Sequence, residues 1–401
     1  MPVPSASIPI QRVESIDILR GIVMVIMALD HVRDMLHVSS FTGDPLNPET
    51  TTPVLYFTRW ITHFCAPTFV FLAGTSIFLQ SLRKTKKELS VFILKRGLWL
   101  IFIDVAITTF VITFNPYYNH ILLGVIWAIG ISMVILSVLI FLPFRVILAI
   151  GLIIVLGHNL LDIPESAPGF KAGFIWDLIH SGLFAFYPLT PDHNIVILYP
   201  FLAWTGLMML GYCTGYLFGH GFNSPSRKKI LIWTGLGLIL FFILLRLTNI
   251  YGDPLPWTNQ SSFLRTLYSF FNVQKYPPSL LFMSITIGPA LIVLGLLEDL
   301  NNGFTHIMKV FGRVALFYYI LHFFLAHVLA VIFFFLRGHP LSSADDYIQN
   351  LPFYFLVPGE GISLTAVYFC WAGIILFMYP LSKWYDNYKT NHKEKWWLSY
   401  L

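Results

Sequence analysis

Five ionisable residues crowd into eight positions of an otherwise apolar stretch: Asp30, His31, Arg33, Asp34 and His37. At about 100° per residue, Asp30, Arg33, Asp34 and His37 share one helix face, spaced i, i+3, i+4 and i+7. A histidine beside a carboxylate suits a base that must work near neutral pH and be held in place. The spacing makes His37 the first candidate base, oriented by Asp34 or Asp30, and His31 the second. Either imidazole would take a proton from an acceptor hydroxyl or amine, or carry an acyl group itself before passing it on. The competing reading is a charged helix end in which Arg33 pairs with the carboxylates around it. Arg33 is also a candidate substrate contact.

These residues close a helix expected over about 12–37. Gly21 to Leu29 is apolar throughout, and Asp17 and Arg20 mark the other end. From Asp17 to His37 such a helix rises roughly 30 Å, about the thickness of the hydrocarbon core of a bilayer. Ionisable groups at that depth are costly unless they face a bundle interior or a wet cavity. Arg20, with Asp17 beside it and Arg96 on the third expected span, is the candidate for holding phosphates of a nucleotide-bearing donor. Lys95 reads as positive-inside anchoring. Arg59 and His63, near the outer end of the second span, are candidate substrate contacts if the two helices are neighbours. For His63 the competing role is a histidine hydrogen-bonded within the bundle; for Arg59 it is snorkelling to the interface. Asp104, deep in the third span and eight residues past Arg96, reads as a buried pair or a polar channel wall. His322 and His327 are two further buried histidines, and His322 is a candidate substrate contact.

The chain around them is membrane-like. Of 401 residues, 56% are hydrophobic and only 11% charged, against about 25% charged in a soluble domain; mean hydropathy is +0.72. Apolar runs long enough to span recur about ten times. They cover the first helix, then 55–81, 89–113, 120–142, 144–161, 195–218, 228–248, 279–297, 310–336 and 361–383. The fold class expected is therefore all-α, a polytopic transmembrane helix bundle forming a single domain over 1–401. With the N-terminus inside and the spans alternating, 18 of the 25 basic residues fall on cytoplasmic segments and helix ends, as the positive-inside rule asks. Both termini are then cytoplasmic, as a short tail over 1–11 and a basic tail over 384–401. The long far-side loops, about 159–194, 249–278 and 337–360, are rich in aromatic residues, Pro and Gly. Residues 73–78, AGTSIF, read as a close helix-packing site.

Cys65, Cys213 and Cys370 sit inside apolar runs with no CxxC spacing, so neither a disulfide framework nor a metal site is expected. MPVPSASIPIQ has no basic n-region before an apolar run, so no cleavable signal peptide is expected. No nucleotide-binding or hydrolase motif stands in a meaningful context, and no basic face outside the membrane ends suggests nucleic acid.

Four stretches carry a family resemblance: SIDILRGIVMVIMALDHVRDMLH (15–37), APTFVFLAGTSIFL (66–79), KYPPSLLFMSITIGPAL (275–291) and FGRVALFYYILHFFLAH (311–327). Together they resemble the transmembrane acyltransferases related to heparan-alpha-glucosaminide N-acetyltransferase, and in particular their bacterial branch. The resemblance implies an acetyl group taken from cytosolic acetyl-CoA and delivered to an acceptor, often a sugar, on the opposite side of the bilayer. It also implies a catalytic histidine just beyond the first span, where His37 matches best and His31 stays a candidate. The expected setting is the inner (plasma) membrane of a bacterium, with a homodimer as one candidate assembly. The chain departs from the family in carrying His31 where a family member has asparagine, and Trp127-Ala128 where a glutamine-arginine pair is expected.

Two functions follow. One is a membrane-embedded acetyltransferase acting on an extracytoplasmic glycan or amine acceptor. The other is a transporter or channel for protons or a small polar solute, with Asp104, His322 and the outer cluster as relay groups.

Overall fold

The computed structural model describes residues 13–219, 221–346, 353–395 and 398. The expected 1–11 tail and part of the C-terminal tail lie outside these residues. The first helix, α1, runs Glu14–Leu36, with Glu14 and Asp17 in a first turn whose dipole favours acids. It stops where His37 turns extended and donates its N–H to the Arg33 carbonyl. Helix α2 spans Pro53–Ser81, opened by Thr52, whose side chain accepts from the Leu55 N–H, and by a proline in the first turn. Helix α3, Lys86–Ile103, starts on a capping box between Thr85 and Glu88. It continues through a π turn at Asp104–Thr108 into Thr109–Thr113.

Beyond these lie α4 (Val125–Leu139), α5 (Phe144–Gly157), α6 (Leu202–Thr214) and α7 (Ser224–Thr248). The remaining helices are α8 (Phe263–Phe271), α9 (Leu280–Leu296), α10 (Gly303–Arg313), α11 (Ala315–Leu336) and α12 (Leu364–Asn391). Among the described residues, six helical segments are long and apolar enough to cross a membrane: Pro53–Ser81, Phe144–Glu165, Ser224–Thr248, Leu280–Asp299, Ala315–Leu336 and Leu364–Asn391. Their outer faces leave Ile153, Trp233, Phe369 and Leu376 exposed, as lipid-facing positions would be. Helix α1 has the length but too much charge to join them. It runs instead through the middle of the bundle, against α2, α9, α10, α11 and α12.

An all-helical bundle is not what forms throughout. Strands β1 (His120–Leu123), β2 (Ala185–Thr190) and β3 (His193–Ile197) make a small sheet in the order β1-β3-β2. β1 pairs parallel to β3, and β2 antiparallel to it. Two expected spans, 120–142 and 195–218, therefore begin as strands. Their apolar residues Leu122, Val196 and Ile197 are buried all the same, which is why hydropathy alone merges them with the helices that follow. The expected span 310–336 is broken at Val314, which leaves helical geometry between α10 and α11.

Facing glycines set the helix crossings. A Cβ on Gly21 of α1 would lie 1.8 Å from the Met308 carbonyl oxygen of α10, and one on Gly312 of α10 would lie 1.8 Å from that of Asp17. Gly74 and Gly211 do the same for α2 against α6, where Gly74 comes from the AGTSIF segment. Backbones this close leave no room for any side chain. Gly312→Val is therefore expected to abolish folded protein, read as loss of the monodisperse peak on size-exclusion chromatography. Gly303→Val, at a position where a Cβ would meet nothing within 4 Å, should keep that peak.

Candidate functional site

The α1–α10 contact brings Arg20 to the mouth of a large cavity. Its guanidinium donates to Asp17 Oδ1 (3.1 Å), the Gly312 carbonyl (3.3 Å) and Ser76 Oγ (2.9 Å). The cavity measures about 1080 Å³ and is walled by α1, α2, α3, α4, α10, α11 and the chain's C-terminal residues. At one end its wall carries Arg20, Arg83, Lys84, Lys95, Arg96, Arg313, Lys389, Lys393 and Lys395. Asp17 is the acid among them, already engaged by Arg20. At the other end the wall carries Asp30, His31, Thr62, Cys65, Tyr199, Lys275 and Tyr319.

The row of α1 that faces this space is Asp17, Arg20, Met24, Met27 and His31. Steps of three and four keep these residues on one helix face. Arg20 and His31 are 11 positions apart, so about 16 Å separates them along the axis at 1.5 Å per residue.

His31 is held with a defined proton. His322 Nδ1 lies 2.8 Å from the Tyr318 carbonyl, which can only accept, so that nitrogen carries the hydrogen. His322 Nε2 is then the acceptor for His31 Nδ1, 2.7 Å away. This leaves the lone pair of neutral His31 on Nε2, which has no protein partner among the described residues. The ring is clamped against Phe323, with centroids 3.6 Å apart. A fixed imidazole with one open nitrogen can accept a proton or attack a carbonyl.

Beneath it lies an ion-pair network. Asp30 receives Arg33 on Oδ1 at 2.9 Å and Arg59 on Oδ2 at 2.6 Å. Asp34 takes the same Arg33 at 2.5 Å. Both aspartates are thus turned to guanidinium groups and neither meets His37. The His37 Nδ1 instead lies 2.7 Å from Ser39 Oγ. His37 lines a separate pocket of about 20 Å³, enough for little more than one water, and this pocket shares no wall residue with the large cavity.

Arg96 and Lys95 join Arg20 in the basic wall. Arg59 reaches Asp30, so α1 and α2 are indeed neighbours. His63 is buried with its ring edge-on to Phe282 and is not part of the cavity wall. Asp104 caps α4: its Oδ2 accepts from Gly124 N–H (2.7 Å) and Trp127 N–H (3.1 Å). That role explains the π turn, which widens α3 where Asp104 must reach across. His322 is the partner of His31. His327, a turn and a half further along α11, donates from Nε2 to the Tyr354 carbonyl at 2.9 Å and is no part of the cavity wall.

Lys275 is a charged residue of the cavity wall that is not among the sequence candidates. It precedes Tyr276, whose hydroxyl is 3.2 Å from that of Tyr199, and its ammonium sits 5.0 Å from the Tyr276 ring centroid. Its signal was there to read, as a lysine left on the far side by the positive-inside count.

The catalytic family of heparan-alpha-glucosaminide N-acetyltransferase matches residues 12–245. The chain belongs to this family. The matched span holds Arg20, His31, the ion-pair network and the first basic residues of the cavity mouth, while Lys275 and His322 come from beyond it. No curated protein matches the chain. Family and apolar helices together make it an integral membrane protein of acetyltransferase type.

Proposed function

We propose that the protein moves an acetyl group from cytosolic acetyl-CoA, bound in the basic mouth, to an acceptor on the extracytoplasmic side, with His31 as the reacting base. The observation that carries this reading is a single cavity with clustered cations at one end and an open imidazole nitrogen at the other. Phosphates are best held by fixed guanidinium and ammonium groups, and Arg20 is fixed by three hydrogen bonds. A donor gripped there must span about 16 Å to bring its carbonyl to His31. A thioester on a long pantetheine arm meets that demand, whereas a short acyl phosphate does not. A basic mouth on the cytoplasmic side accords with the positive-inside rule.

In direct transfer, the acceptor heteroatom attacks the thioester carbonyl as His31 Nε2 takes its proton. The C–S bond then breaks and the leaving thiolate recovers that proton. In the stepwise route the same lone pair attacks the thioester carbonyl, the C–S bond breaks and the thiolate leaves from an acyl-histidine. The acceptor then attacks that carbonyl, the C–N bond breaks, and the acceptor proton passes to the thiolate. His322 positions the ring in both. The transport reading draws on the same buried charges, but it gives no reason for a phosphate-type mouth, and the family does not favour it.

Purified protein should be stabilised against heating by acetyl-CoA, and Arg20→Ala should weaken that binding about tenfold or more, the size of a lost charge-assisted contact of about 1.5–3 kcal/mol. A thermal-shift titration flat to acetyl-CoA, with solute movement in liposomes, would sink the proposal.

A further inference from the structure

The His31 end of the cavity is unusual in its charge. Asp30 has both oxygens occupied, by Arg33 and Arg59, and Asp34 is held by Arg33. Lys275 lines the wall within electrostatic reach of Asp30 and His31, and among the described residues it pairs with no carboxylate. Three cations against two carboxylates leave one positive charge over around His31. Such a site repels an ammonium ion, and Asp30, the carboxylate on the wall at this end, has both oxygens already engaged. It does favour an oxygen on which negative charge builds up. Asp104 does not alter this balance, because its carboxylate is turned to the α4 N-terminus and is not part of the wall.

We propose that the acceptor presents a hydroxyl rather than an amine to His31, and that Lys275 stabilises the oxyanion formed in the transfer, so that the product is an acetyl ester. This inference rests on the acetyl-CoA reading above and narrows its acceptor. The acceptor O–H proton passes to His31 Nε2, the new C–O bond forms, and the C–S bond breaks to give the thiolate. That thiolate leaves as free thiol with the proton from His31.

The test works with whatever acceptor the membrane itself supplies. Detergent-permeabilised membranes containing the protein are given acetyl-CoA labelled in the acetyl group, protein is removed, and the labelled glycan and small-molecule fraction is treated with alkaline hydroxylamine. Once residual acetyl-CoA has been removed, since its thioester is cleaved too, release of the label supports the ester; label that resists is an amide and overturns the proposal. Lys275→Gln should cut incorporation tenfold or more with acetyl-CoA binding intact, and Lys275→Arg should restore most of it. Wild-type incorporation by Lys275→Gln would overturn the role of the lysine. Acetyl-CoA binding without protein-dependent incorporation overturns this proposal while the donor site stands. Failure to bind acetyl-CoA removes the reading beneath it as well.

Discussion

His31→Ala is expected to keep acetyl-CoA bound and to lose acetyl transfer by about 10²- to 10⁴-fold, the range a positioned acid–base group supplies. The proposed phosphate site at Arg20 lies about 16 Å away along α1, so binding and chemistry are expected to separate in this variant. The measurement is transfer of labelled acetyl in membranes alongside a thermal-shift titration with acetyl-CoA. His37→Ala is the decisive comparison. Its imidazole touches Ser39 and lines a pocket apart from the cavity, so transfer should stay near the wild-type rate. The opposite pattern, with His37→Ala dead and His31→Ala active, would move the chemistry to the outer end of α1.

The partner of His31 should behave differently again. His322→Phe removes the acceptor that fixes the His31 tautomer, which is worth about one hydrogen bond, or 0.5–1.5 kcal/mol. A drop of roughly three- to tenfold in kcat with little change in KM follows, and His322→Gln, which still offers an oxygen to His31 Nδ1–H, should recover part of it. A purely structural role would lower the amount of folded protein and leave the rate per molecule alone.

Why the sequence pointed first to His37 is a matter of which helix face was followed. The row Asp30, Arg33, Asp34, His37 is the more crowded, but such crowding serves mutual neutralisation as well as catalysis, and here it is taken up by Arg33 and Arg59. The sparser row Asp17, Arg20, Met24, Met27, His31 has the same legibility. Arg20 and His31 differ by only about 20° around the axis, whereas Arg20 and His37 differ by about 100°. Periodicity applied from Arg20 outward thus puts His31, rather than His37, on the face of Arg20. The membrane character, the short row of cations at the mouth and the close packing of 73–78 were all readable from composition and spacing. The sheet was not, because β1 and β3 are short apolar runs continuous with helices, and pairing between residues 120 and 194 depends on contacts no local pattern encodes. Nor was the partnership of His31 with His322, which lies 291 residues away in the chain.

The ion-pair network under His31 yields the other large effect. Asp30→Ala leaves Arg59 buried without its carboxylate, while Arg33 retains Asp34. Removing one partner of a buried pair costs about 3–5 kcal/mol, because the remaining charge has neither water nor a counter-ion. The unfolding midpoint of purified protein, followed by tryptophan fluorescence, should fall accordingly. Replacing both partners by apolar residues of similar size should cost far less, so Asp30→Leu combined with Arg59→Met is expected to recover most of the lost midpoint. The two outcomes separate a structural anion from a reacting one. If Asp30 served only as a neutralising group, the double variant would regain stability and keep His31 chemistry in place, since His31 is held by His322 and Phe323 rather than by Asp30. A double variant as unstable as Asp30→Ala would show that Arg59 and Asp30 do not form the unit drawn here. Recovered stability without recovered transfer would instead give Asp30 a part in the reaction itself.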